Sequence, residues 1–133
     1  MRAVDANVLA RHYPRDDAAQ WRTAARVLSS GDVFVPKTVI LELEWVLRYV
    51  AEQPTSKVNE CLAHLIGLPG ITVEDRSQID IALGHCRNGI DFADALNLAA
   101  SAGCIEFLAL DDRGYARRAN RLGLSPPVRV PSG

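Results

Sequence analysis

Val33-Phe34-Val35-Pro36-Lys37-Thr38-Val39-Ile40-Leu41-Glu42-Leu43-Glu44-Trp45-Val46-Leu47-Arg48-Tyr49-Val50-Ala51 holds the step on which the fold turns. Its first three residues are apolar without alternation, and Pro36 closes the run, which predicts a short strand buried on both faces. From Thr38 to Ala51 the apolar residues recur at helical spacing, and Gln53-Pro54 stops the pattern. A buried strand feeding directly into a helix is one half of a parallel crossover unit.

The same alternation extends in both directions. Upstream, Ala3-Val4-Asp5 followed by Asn7-Val8-Leu9 reads as a buried strand ending at an acid. A helix over Asp17–Ser30 follows, with Ala18, Trp21, Ala24, Ala25 and Leu28 at its spacing and Gly31 after its end. Downstream come a helix over Ser56–Leu68, stopped by Pro69-Gly70, and a strand at Ile71–Val73. Asp75 then caps a helix over Ser77–Cys86. A small-residue helix over Asp91–Ala102 ends at Gly103, a strand covers Phe107–Leu110, a helix Tyr115–Leu122 ends at Gly123, and Val128–Val130 makes a last strand. Short apolar strands alternating with helices predict an α/β domain: a short, mostly parallel sheet flanked by helices in three α/β/α layers. With 133 residues and no linker or repeat, residues 1–133 are expected to form one domain.

Composition narrows the class. Apolar residues make up 48% and charged residues 23%, too much apolar surface for a disordered chain. The richest stretch, Thr38–Ala51, is interrupted by Glu42, Glu44 and Arg48, so no membrane span is expected. Met1-Arg2-Ala3-Val4-Asp5 has an acid where a signal peptide would be apolar, so the expected location is the cytoplasm. Cys61, Cys86 and Cys104 are odd in number and scattered, which predicts buried thiols rather than disulfides or a zinc site. Net charge is −1, so no global basic field advertises a nucleic acid. Arg113, Arg117, Arg118, Arg121 and Arg129 nevertheless follow Asp112 with no intervening acid, which makes either a solvated helix face or a local cationic patch.

In a parallel sheet, ligands bind beyond the carboxyl ends of the strands, and here those ends carry Asp5 and Asp111-Asp112. Each acid also has a plain structural role available, Asp5 in capping the turn and Asp112 in capping the next helix. On a helical wheel Lys37, Glu44 and Arg48 share a polar stripe, and Glu44 has Arg48 four residues on, so Glu44 reads as a surface acid in an ion pair. Glu42 points about 160° away on that wheel, among Thr38, Val39, Val46 and Tyr49, where a buried carboxylate needs a metal or a distant arginine to offset it. On the Asp91–Ala102 helix, Asp94, Asn97 and Ser101 share a face; Asp91 suits the cap and Asp94 the chemistry. Two carboxylates about 5 Å apart repel by roughly 3 kcal/mol at an effective dielectric of 20, so a cluster needs protons or a cation. Oxygen ligands without His or Cys favour Mg²⁺ or Mn²⁺, and His12, His64 and His85 form no zinc spacing.

Four segments in order, Asp5-Ala6-Asn7-Val8-Leu9, Leu41-Glu42-Leu43-Glu44-Trp45-Val46-Leu47-Arg48, Asp91-Phe92-Ala93-Asp94-Ala95-Leu96, and Asp112-Arg113 before Tyr115-Ala116, resemble the PIN-domain ribonucleases, and among them the VapC toxins of bacterial toxin–antitoxin pairs. The resemblance covers essentially the whole chain. It implies a PIN-like fold and an endoribonuclease that hydrolyses phosphodiester bonds in RNA with Mg²⁺ or Mn²⁺, leaving a 5′-phosphate and a 3′-hydroxyl. Asp5, Glu42, Asp94 and Asp112 would be the acidic quartet that holds the metal, with Asp111 an alternative to Asp112. Asn7, Asp91 and Asn97 would support them, and Arg113, Arg117 and Arg118 would steer the RNA backbone. A cognate antitoxin and a homodimer are the implied protein partners. The apolar residues spread around the Thr38–Ala51 helix fit that expectation, since one sheet covers only one helix face. A catalytically silent RNA- or antitoxin-binding module of the same fold is the alternative. A phospho-acceptor receiver would need a lysine at a late strand end, and only Lys37 and Lys57 are present. A haloacid-dehalogenase-like phosphatase would need Asp-x-Asp where this chain has Asp5-Ala6-Asn7.

Overall fold

A computed structural model describes residues 1–10, 18–110 and 114–132. Within it the chain forms two compact units, Met1–Arg76 and Ser77–Gly133. Both mix helices with short parallel strands, so the α/β class holds. The strand pairing, however, falls into two ladders, one in each unit, where the alternation predicted one sheet. Strands of two or three residues offer few ladder hydrogen bonds, and sequence periodicity does not say which of them pair.

The first unit is built on a parallel sheet of order β1-β2-β3, formed by Arg2–Ala3, Val33–Val35 and Ile71–Val73. Val33 and Val35 are fully buried, as an apolar run without alternation requires. Register is set at the amino end, where Val33 N donates to Gly70 O at 2.8 Å. A side chain at Gly70 would stand 2.8 Å from Gly31 Cα, and its φ of +80° is one that glycine alone adopts cheaply, so two glycines let β2 and β3 enter the sheet side by side. β1 is shorter than expected and exposed. Asn7-Val8-Leu9 is not strand but part of helix α1, Ala6–Ala10. The reason is local: Asp5 Oδ1 accepts from Asn7 N at 3.0 Å and Val8 N at 3.3 Å, capping a helix that buries Ala6 and Leu9, three residues apart.

Helix α2 covers Ala18–Ser29, and α3, Lys37–Trp45, leaves β2 directly after Pro36. It continues into a π-helical turn over Val46–Val50. Ile40, Leu43 and Leu47 are buried along one side, and both α1 and α4, Thr55–Ile66, pack against α3. Val58, Leu62, Leu65 and Ile66 complete that core from α4.

In the second unit α5, Arg76–Arg87, buries Ile79, Ala82, Leu83 and Cys86. Helix α6 is Phe92–Ala99, three residues shorter at its end than the spacing predicts; Asp91 caps it as expected, accepting from Ala93 N at 3.2 Å. Strands β4, Phe107–Leu108, and β5, Val128–Arg129, pair in parallel, and α7 is Tyr115–Arg121. The Asn120 side chain closes α7 onto β5 like one more ladder step, its Nδ2 donating to Val128 O at 2.9 Å and its Oδ1 accepting from Val128 N at 3.1 Å.

Candidate active site

In the first unit β1 and β2 run in parallel with Ala3 opposite Phe34, so Asp5 and Pro36 leave the sheet at the same carboxyl end. Glu42 lies five residues into α3, about 7.5 Å along its axis from Lys37 at the α-helical rise. Asp5 directly precedes α1, which packs on the helix that carries Glu42, and both acids are exposed. Asn7, also exposed, serves Asp5 through its backbone N–H.

Glu42 and Glu44 exchange the roles that the helical wheel gave them. Glu44 is the buried carboxylate, at 2% exposure, and Glu42 is open to solvent. The ion pair itself is as expected: Arg48 Nη2 donates to Glu44 Oε1 at 3.1 Å, with Nε 3.0 Å from Oε2. Its charge is what lets Glu44 enter the interior with Ile40, Leu43 and Leu47, the side of α3 that faces its neighbours. The opposite stripe, Thr38, Glu42, Trp45 and Tyr49, faces solvent. Trp45 and Tyr49 are 55% and 57% exposed with ring centroids 5.6 Å apart, and the Arg48 guanidinium lies 4.6 Å from the Tyr49 ring centre.

Two further acids reach the same end of the sheet, unremarked by sequence pattern as site residues. Pro36 has no side chain with which to cap α3, and Glu74, just beyond β3, does so instead: its Oε1 accepts from Lys37 N at 2.8 Å. Asp75, expected as the cap of α5, has φ +49° and holds Lys37 Nζ at 3.0 Å. Nothing local in the sequence couples Glu74 to Lys37; parallel pairing of β2 and β3 brings them together.

In the second unit Asp94 is half-buried in the first turn of α6. The Tyr115 hydroxyl donates to the Asp94 backbone O at 3.3 Å, and burial, with the Asp94 charge nearby, pushes that phenol up to about 12. The Tyr115 ring meets Phe107 edge-on at 6.3 Å. Asn97 and Arg117 are exposed. Arg118, expected to meet RNA, directs Nη1 onto Gly89 O at 2.6 Å. Asp111, Asp112 and Arg113 lie outside the described residues, as does His12.

The remaining groups follow the expectations in part. His64 is exposed, and burial pushes His85 down. All three cysteines are free, but only Cys86 is buried; Cys61 is half-buried, its thiol pushed up by burial, and Cys104 is exposed in the turn after α6, a place that apolar neighbours in sequence do not reveal. Among the described residues no helix is long and apolar enough to cross a membrane.

Compared with known families, the sequence matches the PIN domain over residues 2–121. The chain belongs to the PIN-domain family. No curated protein matches it significantly.

PIN domains are generally nucleases that use divalent metal ions, so this PIN domain is of a nuclease type. The acids that sequence reading assigned, Asp5, Glu42 and Asp94, carry carboxylate oxygens, the donor type that suits a hard cation. Among the described residues no three His, Cys, Asp or Glu side chains form a group that could hold an ion, and the fourth expected acid, Asp112, is not among those residues.

Proposed function

We propose that this PIN domain is a metal-dependent endoribonuclease, the toxin of a toxin–antitoxin pair, acting in the cytoplasm. The family match over residues 2–121 carries the reading. The exposed Asp5, just beyond β1, and the exposed Glu42, on the helix that leaves β2, support it, as do three free cysteines suited to a reducing compartment.

Asp5, Glu42, Asp94 and Asp112 would hold Mg²⁺ or Mn²⁺. When bound, the ion supplies positive charge for the scissile phosphate and makes a nearby water more acidic. The residues supply the rest. Asp5 is held by two backbone N–H groups of α1, which fix one oxygen and orient the carboxylate without neutralising it. Glu42 stands on a helix whose interior face is anchored by Ile40, Leu43 and the Glu44–Arg48 pair. Asp91 caps α6 and so fixes the turn that carries Asp94, and Asn97 lies one turn further on. Arg117 on α7, with Arg113 before it, meets the RNA backbone. A homodimer and a cognate antitoxin complete the proposal, with the exposed Trp45 and Tyr49 as apolar surface for protein contact.

The test is cleavage of a mixed single-stranded RNA pool by the purified protein with Mg²⁺ or Mn²⁺. Cleavage that requires metal and disappears in Asp94→Asn is the expected result. Metal binding and RNA binding without cleavage would replace this reading by a catalytically silent module.

A further inference from the structure

Tyr115 and Arg118 are the first and fourth residues of α7, so they share a face of that helix. Each directs its polar end to a backbone carbonyl near the start of α6. The Tyr115 hydroxyl donates to Asp94 O, in the first turn, and Arg118 Nη1 donates to Gly89 O, two residues before the Asp91 cap. The two bonds therefore bracket that turn from both sides.

Both donors are constrained. Tyr115 is buried, and Phe107 meets its ring edge-on, which fixes the direction of the hydroxyl. Packing alone is served equally by phenylalanine; the hydroxyl adds only the bond to Asp94. Gly89 has φ +92°, and a Cβ there would lie 3.5 Å from Arg118 Cδ and 3.8 Å from two guanidinium nitrogens, so the arginine lies close against a position without a side chain. One guanidinium nitrogen of Arg118 is thus engaged by the protein's own backbone.

We infer that Tyr115 and Arg118 act as a brace that positions Asp94, and that Arg118 is a positioning residue rather than an RNA contact. The inference rests on the reading of Asp94 as a metal-holding acid. Groups that orient a metal-holding residue without touching the ion commonly change metal affinity by 10–100-fold when removed. A helix turn displaced by about 1 Å is enough to cost a hundredfold in rate.

The experiment measures Mn²⁺ binding to the whole chain by titration calorimetry, and RNA cleavage across a metal series, in Tyr115→Phe, Arg118→Ala and Asp94→Asn. The brace predicts that Tyr115→Phe and Arg118→Ala each weaken Mn²⁺ binding about tenfold. Their kcat should fall at limiting metal and recover at saturating metal, with the KM for RNA unchanged. A merely structural loss would instead lower the urea midpoint without metal and leave the Mn²⁺ affinity of the folded protein unaltered. A raised, salt-dependent KM in Arg118→Ala with unaltered Mn²⁺ affinity would mean that Arg118 binds the RNA backbone and would overturn the inference. If Asp94→Asn binds Mn²⁺ and cleaves RNA like the parent, the reading of the site itself is wrong. If Asp94→Asn loses both while the other two variants bind Mn²⁺ normally, only the brace is wrong. Should Tyr115→Phe fail to fold, Arg118→Ala, at an exposed position, decides the matter alone.

Discussion

Replacing Glu44 by glutamine should destabilise this protein far more than replacing Glu42, two residues away. Glu44 is buried and holds Arg48 through one hydrogen bond of 3.1 Å and one charge contact of 3.0 Å. Glutamine keeps the shape but removes the negative charge that Glu44 sets against the guanidinium. Breaking a buried pair by removing one partner costs about 3–5 kcal/mol. Arg48 retains 21% of its side-chain exposure, so water recovers part of that loss, and about 2–3 kcal/mol is the expected cost. With an unfolding entropy of roughly 2.1 cal/mol/K per residue, 133 residues give about 0.28 kcal/mol/K, so the melting temperature should fall by about 7–11 °C. Glu42→Gln removes an exposed carboxylate and should stay within about 0.5 kcal/mol of the parent. Urea unfolding of both variants, of Arg48→Met and of the Glu44→Gln/Arg48→Met double variant measures each cost and the coupling between the pair. Equal stability losses in Glu42→Gln and Glu44→Gln would refute the assignment of the buried face of α3.

Four other outcomes are expected. Asp5→Asn should keep the α1 cap, since an asparagine oxygen accepts the same two N–H bonds, yet lose RNA cleavage; full cleavage with metal supplied would remove Asp5 from the site. Glu74→Ala should cost about 1 kcal/mol by uncapping α3, read as a lower urea midpoint, and an unchanged midpoint would show that the bond to Lys37 N contributes nothing. The Tyr115 phenol titrates near 12 in the native protein against about 10 unfolded, so the native state retains a proton that the unfolded state loses. Stability from this group is complete below pH 10 and declines toward pH 12; unfolding at pH 9 and 11.5 should show a steeper loss in the parent than in Tyr115→Phe, and equal slopes would contradict it. Finally, Mg²⁺ or Mn²⁺ at a hundred times its Kd should add about 2.7 kcal/mol, roughly 10 °C in melting temperature, and the gain should vanish in Asp5→Asn; no shift at millimolar metal would count against a metal site.

The sequence by itself determined the elements whose causes are local. Val33-Phe34-Val35 closed by Pro36, the apolar spacing over Ser56–Leu68, found as the helix Thr55–Ile66, and Asp91 placed to cap the helix after it are each written within a few residues, and they stand within two residues of where the sequence puts them. The four family-like segments were legible for the same reason, and the PIN match over residues 2–121 agrees with them. At Asn7-Val8-Leu9 the local signal was ambiguous, because three residues fit either period; the Asp5 cap and the Ala6–Leu9 spacing decided for helix.

Tertiary structure alone decided which side of α3 faces inward. A wheel orders residues around an axis but carries no zero angle; that is set when α1 and α4 pack against the helix. An ion pair four residues apart looks the same in sequence whether it lies at the surface or, as with Glu44 and Arg48, carries a carboxylate into the core. The Glu74 cap on Lys37 and the Tyr115 and Arg118 bonds to α6 join residues 21 to 37 positions apart. Hydrogen bonds between such distant residues follow from how strands pair and helices dock, so no local pattern announces them.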